Sequence, residues 1–219
     1  MNFAKWISTP IDTGSAAVTF KKQFSATDVC RAVIKISGLG IYEARINGKK
    51  IGRQVLTPGW TSYDHRVQYQ TIDVTDLISE DNILSIGVGP GWAAGTANYQ
   101  HENKLYVDRL CTVASLELTY RDGRVEYVRT DESWDTYSSE VTFSDIYNGE
   151  TIDKTAEEIC YGKAVLAQKS FELAQQIGED IVENDVIRPV ALITTPKGER
   201  VIDFGQNMTG YVSLCIKGR

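Results

Sequence analysis

Three carboxylates crowd a short acidic stretch of the chain. Asp145, Glu150 and Asp153 lie within nine consecutive residues. Two carboxylates about 5–9.5 Å apart can run glycoside hydrolysis, and oxygen ligands in loops can also bind calcium. A third interpretation is a structural turn, in which Asp and Asn side chains bond to their own backbone. The spacing alone leaves all three interpretations open.

Aromatic and polar side chains form a second group, in two connections between predicted strands. A sugar site needs an aromatic face for the C–H side of the ring, and carboxylate, amide or guanidinium groups for the hydroxyls. The alternative is that both tryptophans bury their own loops and that Arg66 pairs with Asp64. The residues predicted to bind sugar are Trp60, Tyr63, Asp64, Arg66, Trp92 and Asn98.

The other common catalytic signatures are missing from the sequence. The two histidines, His65 and His101, form no H-E-x-x-H motif, and there is no G-x-S-x-G nucleophile elbow. A glycine-rich run at 87–91 follows a strand, but Pro90 and Gly95 oppose the helix that a dinucleotide site requires. We therefore assign no catalytic residue outside the acidic stretch.

Composition narrows the class of protein. The chain has 219 residues, a net charge of −6 and a pI near 5.0. This acidity argues against nucleic acid as a partner, because phosphate binding relies on Lys and Arg. No run of about 18 apolar residues exists to span a membrane. Residues 1–10 lack the apolar core of a signal peptide, which predicts a cytoplasmic location.

Alternating apolar and polar residues predict an all-β fold, an antiparallel β-sandwich or jelly roll. Asn47-Gly48 and Asp122-Gly123 are typical of hairpin turns. Residues 73–78 predict a single capped turn, and 164–177 fit either a helix or short strands. The four cysteines are far apart, which indicates free thiols, mostly in the core. Strands are predicted at 17–24, 31–37, 41–46, 49–55, 67–73, 83–88, 112–120 and 124–129.

The last part of the chain predicts a second domain. A hairpin is expected from 190–195 and 200–204, followed by a strand at 211–216. The sequence ends directly after that strand, with no capping element. We therefore expect a jelly-roll domain over 1–187 and the truncated start of another β-sandwich over 188–219.

Eight short segments occur in a characteristic order: AKWI at 4–7, NG at 47–48, LTPGWTSY at 56–63, RVQYQT at 66–71, DVT at 73–75, GW at 91–92, DIYNGE at 145–150 and DFGQNMTG at 203–210. In this order they resemble the amino-terminal region of bacterial α-L-rhamnosidases, over nearly the whole chain. The acidic stretch departs from the family pattern after Asp153, where Lys154-Thr155 replaces an expected Ala-Arg.

The resemblance implies a parent enzyme that hydrolyses terminal α-L-rhamnose with inversion. Its catalytic carboxylates would lie on an α/α toroid that follows this segment and is missing here. Some members also carry a module that binds L-rhamnose through calcium. By that resemblance Asp64 and Asn98 are candidate calcium ligands, near His65 and Trp92, although a His nitrogen is a poor ligand for calcium.

Three hypotheses about function follow. The first is an accessory, carbohydrate-binding domain with no catalytic residue, whose partners are a rhamnose-containing carbohydrate and the other domains of its polypeptide. The second is a self-sufficient glycosidase that uses Asp145, Glu150 and Asp153. The third is a purely structural scaffold between domains, which a large exposed apolar surface would favour.

Overall fold

The computed structural model describes residues 4–96, 100–168 and 171–217, and strands dominate them. The helical elements among them are a 3-10 turn at Thr75–Leu77 and one α-helical turn, α1, at Gly91–Ala94. The first eight strands are β1 (Ile7–Ser8), β2 (Val18–Ser25), β3 (Val29–Leu39), β4 (Ile41–Ile46), β5 (Lys49–Lys50), β6 (Val67–Asp73), β7 (Asp81–Gly89) and β8 (Cys111–Tyr120). The others are β9 (Val125–Arg129), β10 (Asp135–Ser138), β11 (Val141–Asp145), β12 (Gly149–Ile152), β13 (Cys160–Lys163), β14 (Val165–Leu166), β15 (Leu173–Gln175), β16 (Ala191–Thr194) and β17 (Arg200–Asp203).

Two sheets form a β-sandwich, which confirms the predicted fold class. The first sheet has the order β14-β1-β8-β3-β6-β15, and β9 also pairs with β8. The second has the order β13-β10-β2-β7-β4-β5. The pairs are antiparallel except that β15 runs parallel to β6. A separate hairpin, β11–β12, adds a two-stranded sheet.

The core lies between the two sheets and explains the alternating sequence pattern. In β2, Val18 and Phe20 are fully buried while Thr19 and Lys21 are only partly covered. Such alternation places every second side chain on the inner face of a strand. Large, fully buried side chains come from both sheets, and include Ile34, Ile36 and Leu116 from the first and Phe20, Leu84 and Ile86 from the second.

Most strand predictions are confirmed, and two are wrong. The strand expected at 49–55 ends at Lys50, because Gly52 has a φ of 69° and the chain turns away from β4 there. The strand expected at 211–216 is absent, since no neighbouring strand pairs with that described segment. Residues 164–177 form β14 and β15 rather than a helix in their described part.

The chain divides into two compact units, Met1–Val182 and Glu183–Arg219. The predicted boundary between 187 and 188 lies close to this division. The second unit contains the predicted hairpin, as β16 and β17. The four cysteines are free, but only Cys111 is buried, so the prediction of mostly buried thiols is wrong. No helix among the described residues is long and apolar enough to cross a membrane.

Candidate functional site

The loop between β5 and β6 carries the first predicted sugar-binding group. Thr57 fixes this loop to β4, because its hydroxyl donates to the Tyr42 carbonyl at 2.9 Å and its carbonyl accepts from the Tyr42 N–H at 2.8 Å. Tyr63 is buried and packs on Tyr106, with ring centroids 4.9 Å apart. Trp60 lies between these two anchors and is 64% exposed. The structure thus contradicts a loop-burying role for Trp60.

A buried network of side-chain hydrogen bonds also holds this loop. The Tyr42 hydroxyl donates to Gln70 Oε1 at 2.6 Å. Gln70 Nε2 donates to Gln176 Oε1 at 2.6 Å and to the Pro58 carbonyl at 3.4 Å. The sequence assigns no role to either glutamine, although Gln70 belongs to the matching segment at 66–71, because their contact joins positions 106 residues apart.

Asp64, His65 and Arg66 follow Trp60 on the surface. All three side chains are exposed, and neither Asp64 nor Arg66 takes part in an ion pair within the described chain. The alternative in which Arg66 pairs with Asp64 is therefore wrong. Both charged groups are left available to hydroxyl groups of a ligand.

The calcium site predicted at Asp64 and Asn98 stays a prediction. Calcium takes six to eight oxygen ligands, whereas Asp64 has the imidazole of His65 as its neighbour. No group of three or more His, Cys, Asp or Glu side chains that could hold a metal was found in the part of the chain that the structure describes. Asn98, the other predicted ligand, lies outside the described residues.

Trp92 lies in α1, the turn after β7, and is half-buried against the core. Gly91 begins this turn with a φ of 52°. A Cβ atom at Gly91 would lie 2.7 Å from the Ile41 backbone nitrogen, so the turn and Ile41 approach too closely for a side chain. The alternative of a packing role therefore fits Trp92 better than Trp60.

Asp145, in the acidic stretch, accepts hydrogen bonds that hold the local structure at the end of β11. Its Oδ1 accepts from the backbone N–H groups of Tyr147 and Asn148, at 2.9 and 3.0 Å. Its Oδ2 accepts from the Thr96 N–H at 2.9 Å, which ties the hairpin to the Trp92 turn. Partial burial raises the pKa of Asp145, but these hydrogen bonds outweigh it and lower the pKa to about 2.

The other two acidic residues of this stretch are exposed. Asp153 accepts hydrogen bonds from the backbone N–H and the hydroxyl of Thr155, which lower the pKa of Asp153. Glu150 lies on β12, opposite Ser144. The structure therefore supports the turn interpretation for Asp145 and Asp153.

A surface groove of about 480 Å³ lies elsewhere, lined by Lys5, Tyr127 and residues 129–133, and includes none of the predicted site residues.

The structure defines an antiparallel β-sandwich domain. Residues 27–194 match the family model of the α-L-rhamnosidase N-terminal domain. The chain belongs to this family.

The relatives and solved structures described here are also α-L-rhamnosidases. An α-L-rhamnosidase of Streptomyces avermitilis is 34% identical over 87% of this chain, and one of Alteromonas sp. is 31% identical over 90%. The structure of native α-L-rhamnosidase from Aspergillus terreus superposes with a TM-score of 0.83 at 30% identity, over 94% of this chain. The structure of the Streptomyces avermitilis α-L-rhamnosidase complexed with L-rhamnose superposes with a TM-score of 0.77 at 30% identity, over 89% of this chain.

The chain is much shorter than these relatives. It spans 20% and 23% of the Streptomyces avermitilis and Alteromonas sp. sequences, and 26% and 20% of the two solved chains. It corresponds to an N-terminal region of longer enzymes.

Proposed function

We propose that this chain is a non-catalytic accessory domain of an α-L-rhamnosidase and that it binds a rhamnose-containing carbohydrate at the Trp60 loop. The observation that carries the proposal is the exposed indole of Trp60 on a loop fixed by buried hydrogen bonds. An aromatic face in water, on the same loop as the charged residues Asp64 and Arg66, suits the C–H face and hydroxyls of a sugar.

The longer polypeptide is proposed to hydrolyse terminal α-L-rhamnose with inversion, through carboxylates in a following α/α toroid. Support comes from the relatives named α-L-rhamnosidases, of which this chain spans about a fifth to a quarter. The other domains of that polypeptide are then partners of this one. The cytoplasmic location stays a prediction.

Trp60→Ala is expected to weaken L-rhamnose binding about fivefold, since stacking on an aromatic ring is worth roughly 1 kcal/mol. Isothermal titration calorimetry of the wild type and the variant measures this, in calcium and again in chelator. Tyr147→Ala is the matched control, because Tyr147 is a 61% exposed aromatic residue on a different loop. Unchanged affinity in Trp60→Ala contradicts the site, and loss of binding in chelator would support the predicted calcium site.

No nitrophenol release from an aryl α-L-rhamnoside is expected from this chain, because Asp145 is committed to four hydrogen bonds and Asp153 to two. The assay compares the wild type with Glu150→Gln. Turnover by the wild type that disappears in Glu150→Gln would instead establish the self-sufficient glycosidase.

A further inference from the structure

The last stretch of the first unit, residues 172–182, contacts both ends of the Trp60 loop, which comprises residues 51–66 between β5 and β6. At the end of the loop that leads into β6, β15 pairs with β6. At the end that follows β5, the Val55 N–H donates to the Ile181 carbonyl at 2.9 Å. We call residues 172–182 the strap, because this one segment joins the two ends of the loop.

Two side chains of the strap add further hydrogen bonds to the loop. Gln176 Oε1 accepts from Gln70 Nε2 at 2.6 Å, and Gln70 also contacts the Pro58 carbonyl in the loop. Asp180 Oδ2 accepts from Gln54 Nε2 at 2.8 Å. Gln176 Nε2 donates to Asp180 Oδ1 at 3.0 Å, which links the two side chains within the strap. The strap is therefore bonded to the loop through side chains as well as through its backbone.

Few buried contacts hold the strap to the sandwich. β15 has three residues, lies at the edge of its sheet and runs parallel to β6. Parallel pairing is slightly less stable per residue than antiparallel pairing. Residues 177–181 are all exposed. A segment of this kind opens at a lower free energy than the core strands of its domain.

We infer that Gln176 and Asp180 are positioning residues of the Trp60 loop. The docked strap holds the loop in one conformation, because fixing both ends of a loop restricts its backbone, and a detached strap leaves the loop mobile. A sugar that binds the ordered loop then binds only molecules in which the strap is docked. This consequence for the sugar rests on the proposed function, whereas the control of loop order does not.

Hydrogen exchange measured by mass spectrometry, without sugar, tests the control of loop order. Gln176→Ala is expected to speed exchange about fivefold at the Gly59 and His65 amides, which donate within the loop, since one lost hydrogen bond acts on this scale. Gln175→Ala is the matched control, because this adjacent glutamine is exposed and its side chain forms no hydrogen bond with the described residues. Exchange in β2 and β7, in the other sheet, should keep the wild-type rate.

Asp180→Ala tests the second attachment at an exposed position, where the fold should tolerate the change. The substitution removes the acceptor of Gln54 and Gln176, and we expect faster exchange at the same loop amides. Glu179→Ala is the matched control, because Glu179 is also an exposed acidic residue and its carboxylate forms no ion pair within the described chain. This control should exchange at the wild-type rate.

Exchange in the presence of L-rhamnose tests the link to sugar binding in the wild type. The Gln176 N–H donates to the Tyr69 carbonyl at 3.0 Å, so its exchange reports whether the strap is docked. L-Rhamnose at about ten times its dissociation constant should slow exchange of this amide about tenfold, because a ligand that binds only the docked state stabilises that state by mass action.

The outcomes separate the inference from the proposed function. Exchange of the loop at the wild-type rate in both Gln176→Ala and Asp180→Ala overturns the inference, whether or not the sugar binds. Protection by L-rhamnose that is confined to the loop and leaves the Gln176 N–H unchanged also overturns the inference, while the proposed function stands. No binding of L-rhamnose in calorimetry overturns the proposed function, and the exchange of the two variants then decides the inference alone.

Discussion

Replacing Gly91 with alanine is expected to destabilise the domain by about 3 kcal/mol, through backbone strain and a steric clash together. Gly91 has a φ of 52°, and an added Cβ atom would lie 2.7 Å from both the backbone nitrogen and Cγ1 of Ile41. Ile41 begins β4, which is paired along its length with β7, so its backbone has little room to move. Urea unfolding of the wild type and Gly91→Ala measures the loss.

Gly14→Ala separates the two causes. Gly14 has a similar φ of 61°, but a Cβ atom there would meet nothing within 4 Å. This control should lose only about 1 kcal/mol, the cost of the left-handed backbone alone. Equal losses of unfolding free energy in Gly14→Ala and Gly91→Ala would show that the contact with Ile41 does not constrain the Trp92 turn.

The strands could be predicted from sequence because their signals are local. Alternating apolar and polar residues in β2 and β3 indicate that one face of each strand is buried. Asn47-Gly48 predicts a turn, and the two residues have positive φ values of 53° and 79°. The wrong strand at 211–216 is a short apolar run, a pattern typical of a buried strand. A strand, however, needs a partner for its hydrogen bonds, and the pattern does not say whether one is present.

The site was harder to predict, because it depends on contacts between distant parts of the chain. Trp60 and Trp92 follow similar Pro-Gly sequences, yet Trp60 is exposed and Trp92 half-buried. The difference arises from what lies beneath each turn, namely the glutamine network under Pro58 and the close approach of Ile41 to Gly91. The sequence makes Asp145 a catalytic candidate, but its carboxylate accepts a hydrogen bond from the Thr96 N–H, 49 positions away.

Asp145→Asn is expected to destabilise the domain by about 1–2 kcal/mol at neutral pH and by much less near pH 2. The carboxylate accepts four hydrogen bonds, from Thr96, Tyr147 and Asn148, and an amide oxygen can replace only one of its two oxygens. In the wild type, the ionised carboxylate stabilises the folded state, because the pKa of Asp145 is about 2 in the folded protein and an ordinary Asp has a pKa of about 3.9. This stabilisation is complete above about pH 4 and is lost as the pH falls toward 2.

Urea unfolding at pH 7 and near pH 2 therefore gives a difference between wild type and Asp145→Asn that shrinks in acid. Asp153→Asn is the matched control, because Asp153 also has a lowered pKa but its carboxylate bonds only to residues beside it in sequence, Thr155 and Ala156. Its loss at neutral pH should be smaller than that of Asp145→Asn, since it ties no distant segments together. The same loss for Asp145→Asn at both pH values would mean that its charge contributes nothing, and that the hairpin and the Trp92 turn are joined by other contacts.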